Sequence, residues 1–150
     1  MADTAPQLSY WHVWTDDDGS TRQSRCTLSA FQMQSMGGHA APQWNDHLAS
    51  GSATILIANL PVGWVGDWHG NPKPQWIVPL SGRWFVETTD GTRVEMGPGE
   101  FSFGGDQNAK PDAQGRQGHR SGTLGAVPAV LMVIQLEDPA YVAARPGAFA

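Results

Sequence analysis

The chain reads Gly66-Asp67-Trp68-His69 near its middle, followed shortly by Gln75-Trp76-Ile77-Val78-Pro79-Leu80-Ser81-Gly82. Successive side chains of an extended strand point to opposite faces, so Asp67 and His69 share one face of the first segment. A polar residue, Gln75, begins the second segment, and a glycine turn closes it. The pattern predicts two neighbouring strands, the first of which presents an aspartate and a histidine on the same side.

Apolar runs separated by turn residues extend in both directions from this stretch. Asp90-Gly91, between β-branched runs, is a strong hairpin signal, and Asp16-Asp17-Asp18-Gly19-Ser20 is typical of a solvated turn. Residues 31–52 lack periodicity and predict a short helix or a loop, whereas 53–60 predicts a buried strand and 104–118 a polar loop. The other predicted strands are 10–15, 21–28, 66–69, 75–80, 83–88, 92–96, 100–103 and 127–136. Many strands with turns between them predict an all-β sandwich or barrel.

Length and composition limit the class of protein. The 150 residues are enough for one domain, expected over 9–150 after a loose tail at 1–8. Cys26 is the only cysteine, and the N-terminal residues lack the basic and apolar segments of a secretory signal, so we expect a soluble, cytoplasmic protein. The longest apolar run, 126–134, is about half of a membrane-spanning helix. A net charge of -5 with nine Lys and Arg argues against nucleic acid as a partner.

The motifs resemble the paired motifs of the cupin superfamily, above all those of small single-domain bacterial cupins. The first cupin motif is a glycine, His-x-His, a glutamate and a later glycine, and the second is Pro-x-Gly followed by a histidine and an asparagine. The matching positions here are Asp67-x-His69, Gln75, Gly82, Gly97-Pro98-Gly99-Glu100 and Gly118-His119-Arg120-Ser121. The resemblance covers residues 53–136. It implies a cupin-type β-barrel, which is a double-stranded β-helix or jelly roll, with a ligand site inside it.

The resemblance also implies that Asp67, His69, Gln75, Asp106 and His119 meet at one mouth of the barrel. Imidazoles with oxygen donors suit Mn, Fe, Ni or Zn, so His69, Gln75 and His119 are the expected metal ligands, with Asp67 or Asp106 completing the shell. Asp67, His69 and Asp106 are the candidate catalytic residues, because a buried carboxylate can move a proton. No nucleotide or organic cofactor is indicated. An aspartate and a glutamine at positions where cupins carry histidine and glutamate equally suit a metal-free acid–base site.

Each candidate also has a structural interpretation. On that interpretation, the imidazole of His69 forms a hydrogen bond with Asp67 or a backbone carbonyl, and the amide of Gln75 bonds a neighbouring strand. Asp106 then caps the turn at Gly104-Gly105, and His119 is a loop residue. Three further histidines lie outside the motifs and are interpreted as surface or packing residues, namely His12, His39 and His47. The structural interpretations are tested by the hydrogen bonds that these side chains make.

Three functions agree with the sequence. The first is a small-molecule enzyme, a lyase, isomerase or dioxygenase that uses a divalent metal. The second is a metal-free cupin that binds a small ligand or performs dehydration or isomerisation through His69 and an aspartate, and the third is a dimerisation scaffold.

A homodimer is expected, with the aromatic strand at 10–14 as its interface, because its side chains would otherwise be exposed. Aromatic residues that suit the wall of a pocket, or equally the core, are Trp44, Trp64, Trp76, Trp84, Phe101 and Phe103.

Overall fold

The computed structural model describes residues 4–149, which form an all-β architecture without an α-helix. Eleven strands are followed by a single 3-10 turn at Pro139–Tyr141. The strands are β1 (Leu8–Thr15), β2 (Thr21–Leu28), β3 (Gln32–Gln34), β4 (Gln43–Asn45), β5 (Ala53–Leu60), β6 (Gln75–Ser81), β7 (Arg83–Thr88), β8 (Arg93–Met96), β9 (Ser102–Gly105), β10 (His119–Leu124) and β11 (Ala129–Leu136). No helix within 4–149 has the length and apolar character to cross a membrane.

The strands belong to three sheets. A six-stranded sheet has the order β2-β1-β9-β6-β11-β5, a three-stranded sheet has the order β10-β7-β8, and β3 pairs with β4. In the large sheet, β1 and β9 run parallel and the other pairs run antiparallel. Isolated bridges join Val65 to Gly122 and His69 to His119. Within the described residues the ladders do not close into a barrel, and the arrangement agrees with a β-sandwich or jelly-roll-like fold.

Two hydrophobic cores lie on the two faces of the six-stranded sheet. The first core fills the space between the large sheet and the three-stranded sheet, where Ile77 of β6 meets Trp84 and Val86 of β7. The second core covers the opposite face and contains Trp76 and Phe103. Because side chains alternate along β6, Gln75 and Ile77 face the first core while Trp76 faces the second. Neighbouring residues of one strand therefore serve two separate regions of the molecule.

Two predicted hairpins are confirmed, β1–β2 and β7–β8. β1 and β2 pair along their whole length, from Leu8 opposite Leu28 to Thr15 opposite Thr21. The turn between β7 and β8 contains Gly91 with a φ of 87°, a left-handed conformation that favours glycine. A Cβ at Gly82 would overlap the backbone carbonyl of Pro128, so this turn also requires glycine. Turn residues therefore form the β7–β8 hairpin at Gly91 and the passage from the large sheet to the small sheet at Gly82.

Two strand predictions, and the prediction for residues 31–52, are corrected. Residues 66–69 are not a continuous strand. Isolated bridges join Val65 to Gly122 and His69 to His119, and because the first members lie four residues apart and the second members three, the register shifts and no regular ladder forms. The predicted strand at 100–103 begins instead at Ser102, since Glu100 belongs to the preceding turn and donates its N–H to the Gly97 carbonyl oxygen at 3.0 Å. Within 31–52, where the sequence predicts a short helix or a loop, the structure has the short hairpin β3–β4.

The exposure of β1 and β5 is the reverse of the prediction. β5 is a strand, but it lies at the edge of the large sheet, and Ile55 and Ile57 are 63% and 60% exposed. β1 lies between β2 and β9, and its Tyr10 is only 2% exposed. Tyr10 is therefore not available to an interface, whereas Trp11 and Trp14 are partly exposed. β1 begins at Leu8, the last residue of the predicted tail, and residues 1–3 of that tail lie outside the described residues.

Candidate functional site

A continuous row of polar side chains lies where β6 and β10 begin and β11 ends. Gln135 donates from Nε2 to Oε1 of Gln75 at 3.0 Å, and Gln75 donates from its own Nε2 to Oδ1 of Asn71 at 2.7 Å. Asn71 donates from Nδ2 to Oδ1 of Asp106 at 2.7 Å, and Oδ2 of Asp106 lies 2.8 Å from Nδ1 of His119. These five residues form a hydrogen-bonded chain that ends on an imidazole.

Strand register and two glycines bring this chain together. Gln75 lies opposite Gly104 of β9 on one side and opposite Gln135 of β11 on the other. A Cβ at Gly104 would overlap the side-chain amide of Asn71, so only glycine leaves room for that amide. Gly118 has a φ of 79°, and a Cβ there would overlap the carbonyl group of His69. These glycines therefore allow the polar residues to approach one another.

Asp106 is the charged centre of the row and is completely buried. Burial acts to raise the pKa of its carboxyl group, but the hydrogen bond and charge of His119 and the hydrogen bonds from Asn71 outweigh it and hold the pKa below the usual 3.8. The carboxylate is therefore ionised at neutral pH and only accepts hydrogen bonds. Nδ1 of His119 must be the donor in this pair, which leaves Nε2 of the neutral ring without a proton.

His69 lies beside His119 and is exposed to solvent. The backbone N–H of each residue donates to the backbone oxygen of the other at 2.9 Å. The centroids of their rings are 4.7 Å apart. Nδ1 of His69 lies 2.8 Å from the backbone oxygen of Asp67, a group that only accepts, so Nδ1 donates here as well. No described residue bonds Nε2 of either ring. The site therefore offers two adjacent imidazoles with the same nitrogen free.

The structure gathers four of the five predicted site residues, namely His69, Gln75, Asp106 and His119. Asp67 is the exception, because its carboxylate is exposed and only its backbone oxygen takes part. Gln75 acts as a hydrogen-bonding residue between neighbouring elements. Asp106 bonds His119 and Asn71 and does not cap the turn at Gly104-Gly105. His12, outside the motifs, packs fully buried in the second core region against Phe103.

The side chains do not fit the expected metal ion. Within residues 4–149, no three His, Cys, Asp or Glu side chains are grouped so that they could hold a metal. Both carboxylate oxygens of Asp106 accept hydrogen bonds. The Gln75 amide is also occupied, because its Nε2 donates to Asn71 and its Oε1 accepts from Gln135. Only His69 and His119 keep a nitrogen that is available to a metal ion, whereas protein metal sites use about three or four protein ligands. The set of His69, Gln75 and His119 therefore does not assemble as a metal shell.

The predicted aromatic residues separate into three environments. Trp76 and Phe101, together with Trp44, line a cavity of about 750 Å³ on the outer face of the large sheet. Trp84 and Phe103 are buried in the two hydrophobic cores. The remaining one, Trp64, is partly exposed. Its ring lies so close to Gly66 that a Cβ at that position would overlap it. The cavity and the row of polar residues are thus on opposite faces of β6.

Sequence reasoning missed Asn71 and Gln135. Asn71 lies in a turn before Pro72 and Pro74, where no periodicity indicates its orientation. Gln135 was detectable in principle, because it is a polar residue within the apolar run of β11. A polar residue in such a run needs a hydrogen-bonding partner if it is shielded from water.

Two comparisons with known proteins found no relative of this chain. No protein-family model matches this chain, and no curated protein matches it. The resemblance to cupins therefore depends on the motif residues and on the pattern of strands alone.

Proposed function

We propose that this chain is a small-molecule enzyme of the cupin type that moves a proton by acid–base chemistry, as an isomerase or a dehydrating lyase. The observation that carries the proposal is the buried 2.8 Å hydrogen bond between Asp106 and His119. It leaves Nε2 of His119 as a base beside a second imidazole, that of His69. The all-β architecture with two facing sheets and the order of the motifs support the cupin-type jelly roll.

The proposed proton transfer begins at His119. Its Nε2 takes a proton from a carbon next to a substrate carbonyl group, and Asp106 stabilises the positive charge that forms on the ring. Protonated His69 donates its proton to the carbonyl oxygen, or to a hydroxyl group that leaves as water. Return of the proton from His119 to a different carbon, with transfer of an enediol hydroxyl proton back to His69, completes an isomerisation. In a dehydration, His119 releases its proton to solvent and His69 takes one up. His69 is exposed and therefore exchanges protons with solvent.

Deuterium exchange tests this proposal. In D₂O, we expect the protein to catalyse exchange of the carbon-bound protons next to the carbonyl group in at least one compound of a panel of 2-oxo acids and hydroxy ketones, followed by proton NMR. Both His119→Gln and Asp106→Asn should lower the rate about 100-fold, the usual contribution of general acid–base catalysis. The matched control is Glu95→Gln, which changes an exposed carboxylate on β8. Exchange that persists in His119→Gln would contradict the assigned base.

A chelator distinguishes the metal-dependent alternative in the same assay. We expect the exchange rate to be unchanged by EDTA, because the described side chains offer only two free imidazole donors. A rate that EDTA abolishes and that Mn, Fe, Ni or Zn restores would support a metal-dependent enzyme instead. The same result would contradict the acid–base mechanism proposed here.

We also propose that the chain forms a homodimer, with β5 rather than β1 at the interface. β5 has one edge paired with β11 and a free edge opposite it, and Ile55, Leu56 and Ile57 expose apolar side chains on both faces. An uncharged strand without proline readily pairs with a second copy of itself. Antiparallel pairing of β5 with β5 is compatible with a twofold axis, the commonest symmetry of dimers.

The double variant Ile55→Lys, Ile57→Lys is expected to convert the dimer to a monomer, because four lysines would face one another across the twofold axis. Light scattering coupled to gel filtration should then give 16.1 kDa instead of twice that mass. Met36→Lys, which changes an apolar residue that is 71% exposed elsewhere, should leave the dimer intact. A monomeric natural protein, or a variant that remains dimeric, would exclude β5 as the interface.

A further inference from the structure

A second candidate site lies on the face of the large sheet that is turned away from the row of polar residues. Its cavity of about 750 Å³ is within the size range of small-molecule sites. Aromatic rings form much of its wall, contributed by Trp44, Trp76, Phe101 and Tyr141. Because Trp76 and Gln75 point to opposite faces of β6, this cavity is separate from the site of the proposed acid–base reaction.

The charges around the cavity have one sign. Asp46 and Asp138 both line it, whereas no Lys or Arg is among its described lining residues. The Asp138 carboxylate accepts a hydrogen bond from the Ala140 N–H at 2.9 Å. Oδ2 of Asp46 is buried and has no hydrogen-bond partner among the described residues. An unpaired buried carboxylate oxygen is costly, so a cation bound here would offset that cost.

The indole of Trp76 supplies a second polar group without a partner. Trp76 is only 5% exposed, and its Nε1 is buried with no hydrogen-bond acceptor in the described part of the chain. Buried indole N–H groups normally have an acceptor. Both atoms are buried and lie behind the wall, which presents mainly apolar aromatic surface to the cavity.

We propose that this cavity binds a small organic cation, an ammonium group on an aromatic or aliphatic body. Asp46 pairs with the ammonium group, and the aromatic rings surround it, since the faces of such rings attract cations. An anionic ligand has no Lys or Arg to pair with in the described lining, whose one basic side chain is the imidazole of His47. The site is independent of the proposed reaction at His119.

Binding of three matched probes tests the proposal. The probes are 2-phenylethylammonium, the neutral 2-phenylethanol and the anionic 3-phenylpropionate, each titrated into the full chain by calorimetry with tryptophan fluorescence as a second readout. We expect saturable binding of the ammonium compound and binding of the alcohol and the carboxylate that is weaker by about tenfold or more, the value of a hydrogen bond to a charged group.

Substitutions assign the binding to this cavity. Asp46→Asn should weaken ammonium binding by about tenfold without changing the binding of the alcohol, because it removes charge but little volume. Glu95→Gln, an exposed change on the other sheet, should have no effect. Melting curves establish that each variant is folded, and the ammonium compound should raise the melting temperature of the natural chain more than that of Asp46→Asn. No saturable binding at millimolar concentration, equal affinity for all three probes, or an unaffected Asp46→Asn variant would overturn the proposal.

Discussion

Replacement of Asp106 by alanine is expected to lower the free energy of unfolding by about 3–5 kcal/mol, the usual result of breaking a buried charged pair. Asp106 accepts hydrogen bonds from the backbone N–H and side-chain amide of Asn71 and from Nδ1 of His119. Alanine would leave all three donors buried without an acceptor, and each such donor carries a desolvation cost. Urea denaturation at neutral pH measures the change.

Two further variants separate this effect from the general loss of an aspartate. Asp67→Ala removes an exposed carboxylate from the same region and should change the free energy of unfolding little, by about 0.5 kcal/mol or less. Asp106→Asn keeps the shape and the acceptor for Asn71 and should lose less stability than Asp106→Ala. If Asp106→Ala and Asp67→Ala cost the same, the row of hydrogen bonds does not stabilise the fold as described.

Acidification from pH 6.5 to pH 4 is expected to destabilise the protein by about 3 kcal/mol through His12 alone. His12 is fully buried against Phe103 and Phe149, and burial lowers its pKa from 6.5 to about 4 despite the opposing effect of its hydrogen bond to the Ala144 oxygen. Between these two values the unfolded chain binds a proton that the folded protein does not. Stability is therefore full above pH 6.5 and falls as the pH decreases towards 4.

Urea denaturation at a series of pH values measures this effect in the natural chain and in His12→Gln. The variant should lack the extra decrease between pH 6.5 and pH 4, whereas His39→Gln, which changes an exposed histidine, should retain it. Below about pH 3.8, the ordinary pKa of aspartate, a second decrease is expected from Asp106, whose pKa is lower in the folded protein. An identical pH dependence in His12→Gln and the natural chain would contradict a neutral buried His12.

The sequence was most informative where local chemistry fixes the structure. Asp90-Gly91 forms the predicted turn between β7 and β8, and the alternation along β6 places Gln75 and Ile77 on the inner face. The order of the motif residues also brought His69 next to His119. These features depend on residue type and on spacing along the chain, which are visible without the fold.

Other features depend on which elements become neighbours. The apolar run in β5 is the same whether the strand is central or at an edge, so its exposure was not visible in the sequence. Tyr10 of β1 is buried because Trp76 and Phe149 pack against it in the second core, and both contacts are distant in the sequence. Likewise, Asn71 joins the polar row because Gly104 leaves space for it, and nothing near Asn71 in the sequence indicates that contact.

The central claim is that Asp106 holds the neutral ring of His119 with its proton on Nδ1 and keeps Nε2 free for proton transfer. Nitrogen-15 NMR of the histidine rings, with long-range couplings to the ring protons, identifies the protonated nitrogen directly. At a pH where the ring is neutral, we expect Nδ1–H in the natural chain and Nε2–H in Asp106→Asn, whose amide would donate to Nδ1 instead. A natural chain with the His119 proton on Nε2 would contradict the account.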